Sequence, residues 1–293
     1  MLRKGEIWMA DWVAELRREL TLRAITYAQR NCLPHFLSKG GTIFFEPYLD
    51  ASGVTRHGNF FAPSYQIIRH DPEWAGMLNH GVANANAIPR LKQGVAMETD
   101  SSCSTAALAM SLFCLPEINE AVASILKVEA GRPRFAGEIK SSGRRKKSRE
   151  FEPDIILNGG GVYVWAVLTE SLTGAMTVSE LEQHPSIQRF ADLNRLAVSG
   201  GIVRYADVLK MYLTAQQNNA RFVLIIDQRR QDLAKAYRKI MQAAKSSDIG
   251  SLLTWQDLAK VLPGDAKAFV QQKYGIEAGI TIEVAQKQEI SLV

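Results

Sequence analysis

The chain has 293 residues, 46% of them hydrophobic and 22% charged, the make-up of a globular protein with a sizeable core. Thirty-five Lys and Arg against thirty Asp and Glu give a net charge of +5, a mildly basic balance that admits a nucleic-acid partner without requiring one. Three cysteines, Cys32, Cys103 and Cys114, with no CxxC and no Cys/His cluster, exclude a disulfide framework and a structural zinc site.

The opening "MLRKGEIWMADW" is interrupted by Glu6 and Asp11, unlike a secretory signal, and the apolar runs fall well short of a membrane span. With free thiols as the default, the expected location is cytoplasmic. Residues 5–31 predict a long helix, with Trp8, Trp12, Val13, Leu16 and Leu20 at helical spacing. "GGTIFFEPYLD" predicts a short strand, and residues 50–97, rich in Gly, Asn, His and Pro, an irregular segment over the core. In "TDSSCSTAALAMSLFCLP", Asp100 or a serine caps a helix that Pro116 ends. "EINEAVASILKVEAG" predicts a second helix closed by Gly131.

Strand patterns follow: "RPRFAGEIK", a basic loop, "FEPDIIL", a tight turn at "NGGG", then "VYVWAVL". Beyond them, "SIQRFADLNRLAV" and "IVRYADVLKMYLTAQQNNA" predict helices. "RFVLIID" predicts a strand buried in mid-sheet, "QDLAKAYRKIMQAAKSS" an amphipathic helix, and "SLLTWQDLAKVLP" a strand or turn running into a helix capped at Thr254. The expected fold class is α/β, a mixed central sheet flanked by helices. Residues 1–94 are read as a helical and irregular elaboration packed on a core of residues 95–293.

Asp154, in "PD" at the head of an apolar strand, is the first chemical signal. Metal-assisted phosphodiester cleavage needs oxygen ligands for Mg²⁺ and usually a lysine. One Asp on a strand and an acid-x-Lys pair on its neighbour supply them, because side chains two apart on a strand share a face. The strand "VYVWAVL" and the residues just after it offer two incomplete registers. In one, Trp165 and Val167 take the acid and lysine positions; in the other, Glu170 is the acid and Leu172 stands where lysine should. "EIK" alternates Glu138 and Lys140, either as a relocated acid-x-Lys pair or as an exposed strand face. Arg144, Arg145, Lys146, Lys147 and Arg149 crowd the loop before Asp154, where they can meet a phosphate backbone or simply be solvated. The histidines are scattered without ligand spacing, the serines of "SSCST" lack a neighbouring His, and "NGGG" lacks the helix and GK[ST] of a phosphate loop.

"FEPDIIL…VYVWAVLTES" resembles the PD-(D/E)XK nuclease superfamily, in particular its restriction-endonuclease-like branch, whose second strand ends in a pattern close to "EAKLTES". Ala166, Leu168, Thr169, Glu170 and Ser171 fit that pattern; Trp165 replaces the acid and Val167 the lysine. "NNARFVLIIDQRRQDLAKAYRKIM", "LLTWQDLAKVLP" and "FVQQKYGI" extend the similarity, which covers roughly residues 95–276. The resemblance implies a restriction-endonuclease-like fold, with Asp154 as the metal-binding Asp and Glu98 of "METDSS" as a helix-borne acid. Glu152, two before Asp154, is expected to share its face. An indole in place of a ligand is expected to fill the cleft and a valine to remove the cation, at a cost of several kcal/mol in transition-state stabilisation.

Three readings stay open. One is a nucleic-acid-binding protein, on double-stranded DNA, whose catalytic motif has eroded. A second is an Mg²⁺-dependent DNA endonuclease using Asp154 with ligands from elsewhere. The third is a structural or interaction protein, for which the Trp-rich first helix offers a surface for a second copy.

Overall fold

The computed structural model describes residues 4–80, 97–135, 152–172, 174–183, 187–196, 198–246 and 249–279, and the statements below concern these. The chain opens with helix α1 (Lys4–Arg30), whose Val13, Leu16, Leu20, Ala24 and Ala28 are buried at steps of three and four. Two antiparallel hairpins follow, β1 (His35–Leu37) with β2 (Ile43–Phe45) and β3 (Pro47–Leu49) with β4 (Thr55–His57). The expected single strand over 40–50 is therefore broken: Glu46 N bonds Pro34 O, and Pro47, with no N–H, opens the next hairpin.

Residues 50–80 are more ordered than their composition suggests. Helices α2 (Ala62–His70) and α3 (Pro72–His80) both carry proline in the first turn, where its missing N–H costs nothing. Ile68, Trp74 and Met77 pin them to the core. Helix α4 (Thr105–Phe113) is buried throughout and capped by the Ser104 hydroxyl, which accepts from Ala107 N. Helix α5 (Pro116–Leu126) stops at Lys127, in the left-handed region, short of the expected Gly131.

A five-stranded sheet carries the rest. Its order is β12 (Gly250–Thr254), β11 (Arg221–Ile226), β7 (Val162–Val167), β6 (Ile155–Leu157), β5 (Arg134–Phe135). Strands β7, β11 and β12 are parallel, while β5, β6 and β7 run antiparallel. The β6–β7 turn is the expected hairpin: Asn158, Gly159 and Gly160 all have positive φ, and Gly161 N closes it on Asn158 O. The parallel pairs need crossovers, and helices α8 (Ala206–Gln217) and α9 (Gln231–Ala243) supply them.

Two further helices, α10 (Trp255–Ala259) and α11 (Gly264–Tyr274), follow β12. Thr254 and Asp257 form a capping box at the head of α10, as the sequence suggests. Between β7 and α8 the structure departs from expectation. Helices α6 (Val178–Glu182) and α7 (Ile187–Phe190) are short, and β8 (Ala175–Thr177), β9 (Val198–Ser199) and β10 (Ile202–Arg204) make a small antiparallel sheet. Gly200 and Gly201, both at positive φ, turn the β9–β10 hairpin where two helices were expected.

The central sheet is covered on both faces. Ile155, Leu157, Val162, Val164, Ala166, Val223 and Ile225 face a core with α2, α4, α5 and α11. Trp165, Val167, Phe222, Leu224 and Ile226 face a second core with α8 and α9. The molecule is thus a mixed α/β structure with a mixed sheet flanked by helices. Leu16, Leu20, Phe60 and Tyr65 join the first of these cores, so residues on both sides of position 94 share it. Among the described residues no single helix is long and apolar enough to cross a membrane.

Candidate functional site

On the α4 face of the sheet a pocket is lined by Glu98, Thr105, Ala106, Ala109, Phe135, Asp154, Ile155, Ala166 and Glu170. Each acid arrives from a different place. Glu98 opens a 3₁₀ turn, Glu98–Asp100, just before α4. Asp154 sits at the bend that precedes β6. Glu170 follows the end of β7. Thr105, Ala106 and Ala109 form one face of α4, and two alanines there keep the pocket open.

Asp154 is fixed twice. Its N–H donates to Val164 O at 2.9 Å and its Oδ2 accepts from Ala166 N at 2.9 Å. Glu170 folds back so that Oε2 accepts from Leu168 N at 2.9 Å and Thr169 N at 3.1 Å. Glu98 takes a hydrogen bond from Ser104, yet its Oε2 is buried with no partner. Burial lifts the Glu98 carboxyl to about 8, and Glu170, Asp154 and Asp100 push it the same way against the Ser104 bond. Burial likewise lifts Asp154 to about 7, opposed by the Ala166 N–H and helped by Glu170.

Among the described residues the pocket lining holds no lysine, arginine or histidine. Two guanidinium groups reach the backbone just after β7: Arg17 Nη2 donates to Thr169 O at 3.2 Å and Arg230 Nη1 to Glu170 O at 2.9 Å. Arg230 is also held by Asp232 at 2.9 Å.

Hard oxygen donors suit Mg²⁺, which is typically held by one or two carboxylates with waters and substrate phosphates. The bare, buried Oε2 of Glu98 and the neighbouring Asp154 fit that requirement. Among the described residues no group of three or more His, Cys, Asp or Glu side chains is arranged to hold an ion. Glu170, with one oxygen taken up by two amides, is the poorest donor of the three.

Asp154, Glu98 and Glu170 are thus brought together. Trp165 and Val167 are not part of this pocket, and the indole does not fill it. Both belong to the core on the opposite face, where Trp165 packs on Phe222 at 5.5 Å and donates Nε1–H to Glu152 O at 3.0 Å. The reason is the bend at Asp154. Ile155 pairs with Val164, and both face α4; strict alternation would send the next pair, Asp154 and Trp165, to the other side. Asp154 lies beyond the strand and its carboxylate turns back to Ala166. The β7 residues on the pocket side are Ala166 and, just past the strand, Leu168.

Glu152 contributes its carbonyl to Trp165 and does not line the pocket. Glu138, Lys140, Arg144, Arg145, Lys146, Lys147 and Arg149 lie outside the described residues. Sequence reasoning took Ser104 only as a helix cap and passed over Thr105, whose Oγ1 accepts from Leu168 N at 3.1 Å. The step 105, 106, 109 marks one helix face and was the available signal. Comparison with family models, with curated proteins and with solved structures returns no match.

Proposed function

We propose that this chain is a nuclease-like nucleic-acid-binding protein with the restriction-endonuclease-like fold of the PD-(D/E)XK superfamily, in which cleavage is absent or very weak. One observation carries this. An Asp heads one strand of the sheet and its carboxylate lies against the neighbouring strand, but the positions of that strand on its side are Ala166 and Leu168. Neither residue binds a cation or stabilises charge on a phosphate. The basic run 144–149, shortly before Asp154 in the sequence, is the phosphate-contacting element in this reading.

A specific feature favours a second reading, an Mg²⁺-dependent DNA endonuclease. Glu98 and Glu170 join Asp154 in one pocket, and Glu98 keeps an unsatisfied buried oxygen. Mg²⁺ bound there would supply a Lewis acid for the phosphate and activate a water. In either reading Asp154 is the fixed acid, held by Ala166 N.

Both are tested on one preparation. Salt-sensitive binding to duplex DNA in EDTA, with supercoiled plasmid left intact in Mg²⁺ or Mn²⁺, supports the first. Metal-dependent nicking that is lost in Asp154→Ala supports the second. No binding at low salt removes both and leaves an interaction protein that keeps only the fold.

A further inference from the structure

Lys273, in the last turn of α11, is 1% exposed and has no carboxylate partner among the described residues. Buried lysines are rare because an unpaired ammonium is costly to dehydrate. Burial pushes the Lys273 pKa well below the usual lysine value, and Nζ hydrogen-bonds Asn59 O at 2.6 Å, Asn59 Oδ1 at 2.6 Å and Tyr274 Oη at 2.9 Å. Three rings surround it, with centroids 4.4 Å (Tyr274), 5.0 Å (Phe45) and 5.3 Å (Phe269) from Nζ. Ring faces attract a cation most strongly where water is excluded.

Asn59 is fully buried and carries the contact onward. With Oδ1 facing Lys273, its Nδ2 donates to Thr99 O at 2.5 Å and Ser101 O at 2.8 Å. Its N–H donates to His57 Nδ1 at 3.1 Å, which makes Nε2 the protonated nitrogen of that ring; His57 Nε2 then donates to Asp100 Oδ1 at 3.0 Å. The other oxygen of Asp100 accepts from Met97 N at 2.7 Å. Met97, Thr99, Asp100 and Ser101 are thus each held by this network, and the Glu98 carbonyl accepts from Ser101 N at 3.1 Å. Glu98 is the residue the turn delivers to the acid pocket.

We infer that Lys273 is a positioning residue for Glu98, acting through Asn59: the amino group fixes the Asn59 amide, and the amide fixes the two carbonyls that set the turn bearing Glu98. This rests on the reading of the acid pocket as a cation-binding site only for its functional consequence, since the anchor itself is a matter of geometry. No proton or electron changes place; the role is orientation, of the kind that outer-shell groups play around ligands.

Asn59→Asp separates the two halves of the relay. It keeps an oxygen for Lys273, gaining an ion pair, and deletes both donors to Thr99 O and Ser101 O. In the full-length chain, hydrogen–deuterium exchange over residues 97–102 should speed up about tenfold or more in Asn59→Asp, with residues 222–226 unchanged. Lys273→Met should behave alike and Lys273→Arg should stay within about threefold of the native chain. Mn²⁺ binding, followed by the loss of its free paramagnetic signal, should weaken in Asn59→Asp to the level of Glu98→Gln, about tenfold.

A folded Asn59→Asp that exchanges at the native rate over 97–102 overturns the inference, as does native Mn²⁺ affinity in that variant. If the native chain binds no Mn²⁺, the cation-site reading fails by itself, and exchange alone decides the anchor. Should Lys273→Met not fold, Asn59→Asp and Lys273→Arg still decide it.

Discussion

Glu98→Gln probes the acid pocket with almost no change of shape. In the folded chain the Glu98 carboxyl ionises near 8, against an ordinary value of 4.5. Between those two values the native state holds a proton that the unfolded state has released. The stability this confers is therefore fully present below about 4.5 and is lost as pH rises through about 8. The gap, 8 minus 4.5, corresponds to about 5 kcal/mol at 1.36 kcal/mol per pH unit, of which about 3 kcal/mol falls between pH 6 and 9. Asp154 titrates in the same window and shares the repulsion, so the two contributions overlap and are not summed.

Glutamine carries no charge at either pH and also relieves Asp154. The stability difference between Glu98→Gln and the native chain should thus grow in favour of the variant by about 3 kcal/mol from pH 6 to 9. Urea unfolding in EDTA at several pH values measures it, through midpoints at constant slope. Parallel curves for the two proteins across that range would refute the reasoning, because they would mean that Glu98 ionises freely in the folded state.

Other outcomes follow from other parts of the molecule. Replacing Arg144, Arg145, Lys146, Lys147 and Arg149 with Ala should weaken DNA binding and flatten the plot of log K against log salt by up to about 4 to 5, if all five meet phosphates; an unchanged slope in filter binding or anisotropy discards the loop. Trp165→Ala, which empties a fully buried site in the core behind the sheet, should cost about 3–5 kcal/mol in urea unfolding yet leave Mn²⁺ affinity of the folded protein intact. Loss of Mn²⁺ binding in a folded Trp165→Ala would return the indole to the pocket. Thr254→Ala removes the N-cap of α10 and should cost about 1 kcal/mol by the same assay, with no effect on DNA binding.

The elements that periodicity alone defines were legible. The run "RFVLIID" is a central strand because both its faces are buried, and α9 is amphipathic because only one of its faces is. The turn at "NGGG" was legible from backbone chemistry, as the Gly200–Gly201 turn should have been; there the surrounding apolar spacing suggested helix and hid a hairpin signal. Asp154, Glu98 and Glu170 were each identified as acids of interest, but their meeting depends on the register of β6 on β7 and on where the 97–101 turn docks. Parity misled most clearly at Trp165. Counting by twos along β7 from its pairing with Asp154 is sound only if Asp154 is in the strand, and it sits one residue outside it. Lys273 and Asn59 were not legible at all: they are 214 positions apart, and neither residue type advertises burial.

The charge of the pocket narrows what relieves it. Three carboxyl groups meet with no basic side chain in the lining among the described residues, and two of them are lifted to about 7 and about 8. Protons neutralise Glu98 and Asp154 at pH 6 but leave both largely ionised at pH 8.5, where a hard cation would offset their buried negative charge. Protons and cation therefore compete, and cation affinity should rise with pH across this window. Stabilisation by a ligand that binds only the folded state is RT ln(1 + [L]/Kd), about 1.4 kcal/mol at a concentration ten times Kd. Millimolar Mg²⁺ should accordingly raise the urea midpoint of the native chain more at pH 8.5 than at pH 6, and should do so hardly at all in Asp154→Asn. Equal stabilisation at both pH values, or stabilisation that survives in Asp154→Asn, would place the ion elsewhere on the surface. In the nuclease-like reading proposed above, the pocket would then be neutralised by protons alone, and any DNA binding would be metal-independent.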